Sequence, residues 1–514
     1  MKGTEDLVNE CLLSLFYISH YSIVRILYNY KRIDFHAFKF NIPSLPSKRR
    51  TVSEVYFITF ESMRARNIFF LLITAVCSLV ISCKKTSFTN SPNASLFTSE
   101  DTLHFDTVFT ALGSITQSFK MFNANDQKLR INNIELAGGN GSVFKMNVDG
   151  TTGTSFNNIE IAPNDSIYIF VAVTIDPTNS NNPFLIRDSI RINYNSKETF
   201  VQLDAYGQNA SFLNNATVTK DTTWSNKLPL VISGSLTVAQ GNTLTIQKGA
   251  KVYCHAGTAI TVNGTLKAIG EKYDSTKILF RNDRLDDYYK DLPASWQGIV
   301  FTETSTNNEL IFASVLNATN AIVVRNPSTN SNPKLSMQQC IVDNASNAGV
   351  YGIYSSIEAV NCLITNCSQN IKIVAGGDYN FTHCTVAAYS NLFLTHNNPV
   401  LSITDIDDNN QSFTLTANFA NSIFYGDNGI IADEIYLLQA DSNIFDVNFE
   451  NVLYKGNSVN ANFTNPLQNQ DPNFVSIEAY DNIYNFHLQE ISPCIGAAKN
   501  TAVNIDIDGN ERDA

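Results

Sequence analysis

One pattern constrains this chain more than any other. From about residue 214 onward, the same alternation of apolar and polar positions returns roughly every 22 residues. Aligned on Cys340, Cys362, Cys384, Ser422 and Asn443, the intervals are 22, 22, 38 and 21, three of them near one period. Five residues before these positions stand Leu335, Ile357, Tyr379, Ala417 and Leu438, and three before stand Met337, Ala359, Phe381, Phe419 and Ala440. The place immediately before is polar (Gln339, Asn361, His383, Asn421, Ser442), and two after it is apolar again (Val342, Ile364, Val386, Phe424, Phe445). An earlier likeness, at a distance of 30, links Ile232–Val238 to Val262–Leu266.

A period-two apolar pattern, a polar bend and a second apolar position describe one coil of a parallel β-helix in which like residues stack. At ~4.8 Å between hydrogen-bonded strands, the ~13 coils that fit in the segment 214–514 would make a rod on the order of 60 Å. A leucine-rich-repeat solenoid is disfavoured because its Leu-x-x-Leu-x-Leu frame is missing. Composition agrees with an all-β chain: charged residues are only 16%, which suits short strands joined by polar turns better than solvated helices.

Upstream, a Ser/Thr/Asn-rich tether at 84–99 precedes a second pattern over 100–207, where short alternating strands end in turn signals. Examples are Lys128–Leu136 closed by Gly138-Gly139, and Ser166–Ile175 closed by Asp176-Pro177. This spacing predicts a β-sandwich. The fold expected is therefore an N-terminal β-sandwich followed by a right-handed parallel β-helix over 214–514.

The N-terminal region reads as an address. Met63-Arg-Ala-Arg-Asn67 supplies a basic segment, Ile68–Val80 an apolar one too short for a comfortable membrane span, and Val80-Ile-Ser-Cys83 closes it. This resembles the signal peptide and lipobox (63–83) of bacterial lipoproteins, which implies lipidation of Cys83 and a membrane anchor there. Residues 1–62 then form an extension ahead of the true start at Met63, or else carry a first membrane segment within 11–30. Lys84-Lys85 follow the cysteine, and the acidic export cluster frequent in Bacteroidota-type lipoproteins is missing. The location expected is the bacterial cell envelope, at the outer membrane.

Two further resemblances concern the fold. Phe105–Phe109, Asp188–Ile190 and Ala205–Gln208 are similar to immunoglobulin-like domains of Bacteroidota-type lipoproteins. Leu244–Tyr253, Ile260–Gly270 and Trp296–Phe301 resemble the opening coils of right-handed β-helix lipoproteins with a pectin-lyase-like fold. Asp471–Phe474, Phe486–Gln489, Ser492–Gly496 and Asp506–Arg512 resemble the terminal coil of that group, which in relatives continues into one more short strand; an exposed edge is expected at this end. The resemblance implies that polysaccharide lyases and glycoside hydrolases must be weighed.

A lyase of this group needs a basic residue beside the substrate carboxylate. No Arg occurs between Asn326 and Glu511, and Lys occurs there only at 334, 372, 455 and 499. A hydrolase needs paired carboxylates on one face. Asp405, Asp407 and Asp408 are the best cluster, in the irregular insertion between Cys384 and Ser422, where a solvated acidic loop is the simpler reading. A second acidic loop, Asp283–Asp291, holds Asp286, Asp287, Tyr288 and Tyr289, whose rings and carboxylates could meet a sugar. Asp506, Asp508 and Asn510 have the spacing of a calcium loop but lack its distal acid, so a capping turn is expected. The stacked cysteines form a packing ladder rather than a metal site, because ligands running alongside one another do not converge. His383 falls in the polar-bend column and reads as a turn residue.

Residues 84–514 hold 25 Lys+Arg against 41 Asp+Glu, which argues against a nucleic-acid partner. The reading is an envelope lipoprotein, without metal or cofactor, whose non-catalytic β-helix offers a surface to a polysaccharide or another envelope protein. The alternative is a polysaccharide lyase or glycoside hydrolase of the pectin-lyase-like group.

Overall fold

A computed structural model of the chain describes residues 87–512, apart from 111, 180, 441–443 and 458. Cys83, the signal segment and the extension 1–62 lie outside the described residues, as do Ser442 and Asn443.

Strands from Leu96 to Gln208 build the sandwich, two five-stranded sheets. Neighbouring strands run antiparallel except Thr102–Phe109 beside Lys197–Gln208, which is parallel. Alternation is the cause: in Leu129–Leu136 the residues Leu129, Ile131, Ile134 and Leu136 are buried while Arg130 and Asn132 face water. Their inner faces meet Phe105, Phe119, Phe144, Ile169 and Val171 in one core.

From Ser211 to Gln468 the chain winds through a single 26-stranded system in which strands of successive coils pair in parallel. Most coils contribute to three parallel ladders, so the solenoid has three sheets, and the last two coils add to sheets A and B alone. Sheet A includes Thr243–Gln247, Asn308–Ile311, Leu335–Gln338 and Leu415–Ala420. Sheet B includes Ile278–Asn282, Ile341–Asp343 and Leu363–Thr365. Sheet C includes Gly298–Phe301, Asn320–Arg325 and Leu401–Thr404. The two long strands Ala348–Val360 and Gln369–Thr382 cross from sheet C to sheet A at a bend. Crossover connections between parallel strands take the right hand, so the fold is a right-handed parallel β-helix.

Stacking follows the expected columns as far as Ser422. Leu335, Ile357, Tyr379 and Ala417 pair in order, as do Met337, Ala359, Phe381 and Phe419. The column then continues to Val447 and Phe449, not to Leu438 and Ala440. Ile435–Leu438 pairs instead with Leu401–Thr404 in sheet C. The physical reason is that all three sheets share one period-two pattern, so an alignment can slip from one face to another. The same slip affects the likeness at distance 30: Leu236 pairs with Ile260 in sheet C, whereas Leu266 pairs with Leu244 in sheet A.

Inside, aromatic rings stack coil on coil: Phe381 on Phe419 at 5.4 Å, Phe419 on Phe449 at 4.9 Å and Phe449 on Phe463 at 4.8 Å. Cys340, Cys362 and Cys384 are free and buried, and burial pushes the Cys340 and Cys362 thiols up. The polar bend between sheets A and B is left-handed in five successive coils, with φ of 49° at Gln339, 52° at Asn361, 55° at His383, 51° at Asn421 and 53° at Asn451. Asn and His tolerate this region better than most residues.

The segment after Gln468 forms no further coil, contrary to the terminal-coil expectation. Phe474–Glu478 and Ile483–Leu488 make an antiparallel hairpin that covers the outer face of sheet B, where Ile423 and Leu453 point outward. The chain then runs back along the bends as a strap. Asn451 Nδ2 donates to the Ala497 carbonyl at 2.8 Å, Asn421 Nδ2 to Lys499 at 2.9 Å and Asn361 Nδ2 to Ile505 at 2.8 Å. His383 Nε2 sits 2.9 Å from Thr501 Oγ1.

Candidate functional site

Each face of the solenoid has a different neighbour. Sheet B lies under the hairpin. Sheet A turns a polar surface to solvent. Sheet C is flanked by long insertions, among them Asp283–Asp291 and the loop after Thr404.

The loop Asp283–Asp291 is held from beneath by an asparagine ladder. Asn317 Nδ2 donates to Asn282 Oδ1, and Asn344 Nδ2 to Asn317 Oδ1, both at 2.8 Å. The same amides take up loop carbonyls: Asn282 that of Tyr289, Asn317 that of Lys290 and Asn344 that of Asp291. A buried network of this kind, in which only Asn344 Oδ1 is left without a partner, fixes the backbone it holds. Within the loop Asp286 pairs with Arg284 at 3.1 Å and Asp287 with Lys290 at 2.7 Å. Arg284 lies over the Tyr289 ring at 3.9 Å, and Tyr288 meets Tyr289 edge-on at 4.8 Å. Tyr288 is 70% exposed. On its other side the loop packs on the sandwich, with a cavity of about 200 Å³ lined by Asp106, Phe109, His255 and Asp286. Burial, and then the nearby Asp287, raise the Asp106 carboxyl above its usual range. Asp286 and Tyr289 are thus committed to the loop and its docking, while Asp287, in its ion pair with Lys290, and Tyr288 are exposed.

The insertion after Thr404 separates its three acids. Asp405 is fully buried and its Oδ1 accepts the Ala440 N–H at 2.8 Å. Asp407 caps a turn, accepting the N–H groups of Asn409 and Gln411 at 2.8 Å each, and the Gln411 bond holds its carboxyl below the ordinary value. Asp408 is exposed at the tip. Asp405 therefore does not share an open groove with the other two.

What this insertion does assemble is an aromatic corner. Phe413 reaches back over the bend between sheets C and A to lie against Tyr354, centroids 4.9 Å apart. Gly376 makes this possible: a Cβ there would run into the Thr414 carbonyl and come within 2.9 Å of Phe413 Cβ. Tyr354 has φ 45° at a bend where the coils on either side carry Asn326 and Ala375. A left-handed conformation is costly for a bulky aromatic, and such strain collects at functional positions. Beside the corner, Tyr351 lies under Lys372, 5.0 Å from Nζ to ring. Burial first, and then the approach of Asp408, push the Tyr351 phenol up, against a smaller pull from Arg325. Rings with partly exposed faces beside a carboxylate and two cations can stack on a pyranose and bond its hydroxyls. Sequence reasoning missed Tyr351, Tyr354 and Phe413. The available signal was a Tyr in a bend that other coils fill with small or amide residues.

A third cleft, about 520 Å³, lies between sheet B and the strap, lined in part by Phe312, His383, Phe486, His487 and Arg512. Asp506 Oδ1 accepts the N–H groups of Asp508 and Asn510 at 2.9 and 2.8 Å, a capping turn. Asp508 also bonds His487 at 2.7 Å. Among the described residues no group of three or more His, Cys, Asp and Glu could hold a metal ion, and no helix is long and apolar enough to cross a membrane.

No family model and no curated protein matches this chain. Solved structures match at low similarity. The catalytic unit of a GH87 α-1,3-glucanase from Streptomyces thermodiastaticus is 10% identical, with 69% of this chain and 89% of that one covered at a TM-score of 0.22. A family 123 glycoside hydrolase from Clostridium perfringens is 11% identical over 22% of this chain and 26% of its own length, TM-score 0.17. A PapD-like domain of human CEP192 is 8% identical over 25% of this chain and 92% of its own length, TM-score 0.16. At these TM-scores none of the likenesses bears on what the chain does; what stands is the all-β architecture with its large parallel sheet.

Proposed function

We propose that this chain is an outer-membrane lipoprotein, anchored through Cys83, whose β-helix binds a glycan at the aromatic corner without cleaving it. The observation that carries the reading is the tilted contact of Phe413 with Tyr354 beside Tyr351, Lys372 and Asp408. Lack of a carboxylate pair facing one groove in the insertion supports binding over hydrolysis. A glycan array probed with the purified protein tests this. Tyr354→Ala should weaken binding about tenfold or more, and Tyr288→Ala should leave it unchanged. Depolymerisation of a bound glycan, lost on Asp408→Asn, would return the chain to the hydrolases.

A further inference from the structure

Next to the aromatic corner, the outer face of sheet A carries a second ladder of asparagines, unrelated to the buried one. Asn418 Nδ2 donates to Asn380 Oδ1 at 3.0 Å, Asn448 Nδ2 to Asn418 Oδ1 at 3.2 Å and Asn462 Nδ2 to Asn448 Oδ1 at 3.2 Å. These four residues sit opposite one another in consecutive coils, so their amides recur at the strand spacing of ~4.8 Å and all donate in one direction. A carboxamide offers two N–H groups and two lone pairs. The ladder uses one of each between neighbours, and the remainder faces water or the flanking carboxylates, Asp378 at 3.3 Å and Asp446 at 2.9 Å. Asn380, Asn418 and Asn462 are exposed.

We infer that this strip is an extended track for a linear neutral polysaccharide, laid along the helix axis and continuing from the aromatic corner. The inference rests on the sugar-binding reading of that corner. Charge selects the polymer class: Asp378 and Asp446 flank the amides, and the strands carrying them, from Gly377 to Thr464, hold no Lys or Arg. A polyuronate or nucleic acid would meet repulsion here. Shape selects an extended chain, since stacked parallel coils repeat one pattern of donors and acceptors from Asn380 to Asn462. Continuity selects the direction, because the bend carrying Tyr354 leads directly into Ser356 and Glu358, one coil before Asn380.

The test uses the whole purified protein with laminari-, cello- and xylo-oligosaccharides from disaccharide to octasaccharide, and polygalacturonate as the anionic control. For at least one neutral series, affinity should rise about tenfold from trisaccharide to octasaccharide. In Asn380→Ala/Asn418→Ala the gain with length should vanish while trisaccharide affinity persists. Asn418→Asp, which keeps the shape and removes both N–H donors, should do the same if the double variant folds poorly by circular dichroism. Length dependence that survives both changes, stronger binding of polygalacturonate, or binding of no neutral series overturns the inference. Failure of the corner reading looks different: Tyr354→Ala would then bind the trisaccharide as well as the unaltered chain.

Discussion

Asn421 and Lys499 hold each other through two hydrogen bonds, the Asn421 Nδ2 donating to the Lys499 carbonyl and the Lys499 N–H returning to Asn421 Oδ1, both at 2.9 Å. A left-handed bend residue of the solenoid is thereby paired like a strand neighbour with the returning strap. Asn421→Ala removes both bonds and leaves the exposed strap groups to water, at a cost of about 0.5–1.5 kcal/mol. The urea midpoint should fall, and limited proteolysis should release the tail after Ala497 first. A tail that stays as resistant as in the unaltered chain would show that the bends do not hold it.

His383 is one contributor to the pH dependence of stability, and Asp343, whose carboxyl burial pushes up to about 6, is another of opposite sign. Burial, reinforced by the Arg512 charge, pushes His383 down to about 4. The folded protein keeps this ring neutral where the unfolded chain, titrating near pH ~6.5, takes up a proton. The resulting contribution is complete above pH ~6.5, falls as the pH drops toward about 4, and changes no further below that. His383→Asn, which matches the neighbouring bends, should flatten this limb in denaturation curves recorded across that range.

Gly376 is expected to be intolerant of any side chain. Its φ is 73°, and a Cβ would strike the Thr414 carbonyl and crowd Phe413. Gly376→Ala should cost about 1–3 kcal/mol and displace Phe413 from Tyr354. Tryptic sensitivity cannot report this loop, so the check is thermal unfolding together with glycan affinity, which should fall in parallel with that of Phe413→Ala.

The anchor is testable in cells. Cys83→Ala should move the protein from the membrane fraction to the soluble envelope fraction, because a single lipidated cysteine is the attachment proposed. Retention in the membrane fraction would assign the attachment to another part of the chain.

How far the sequence could be read depended on the range of the interactions involved. Inward positions alternate because a strand turns successive side chains to opposite faces, so Leu335, Ile357 and Tyr379 stand out as a column in the sequence itself. The same rule operates on all three sheets, and it could not say that Leu438 had passed from sheet A to sheet C. Polar bends such as Asn361 and Asn421 stood out, yet their partners in the strap are far along the chain and share no pattern with them. The aromatic corner was hidden for the same reason: Tyr354 and Phe413 meet only because an insertion folds back across Gly376. The acids of that insertion were conspicuous, but composition could not reveal that Asp405 is enclosed while Asp408 projects.

The strap meets the wall at successive coils: Ala497 at Asn451, Lys499 at Asn421 and Thr501 at His383. Coils and tail therefore keep count of each other. Duplicating one coil would leave every later rung of the strap facing the wrong bend, and deleting one would leave slack. Most repeat proteins can lengthen or shorten by whole units at little cost. Here the tail acts as a gauge, so a change in coil number would require a matching change in a segment many residues away.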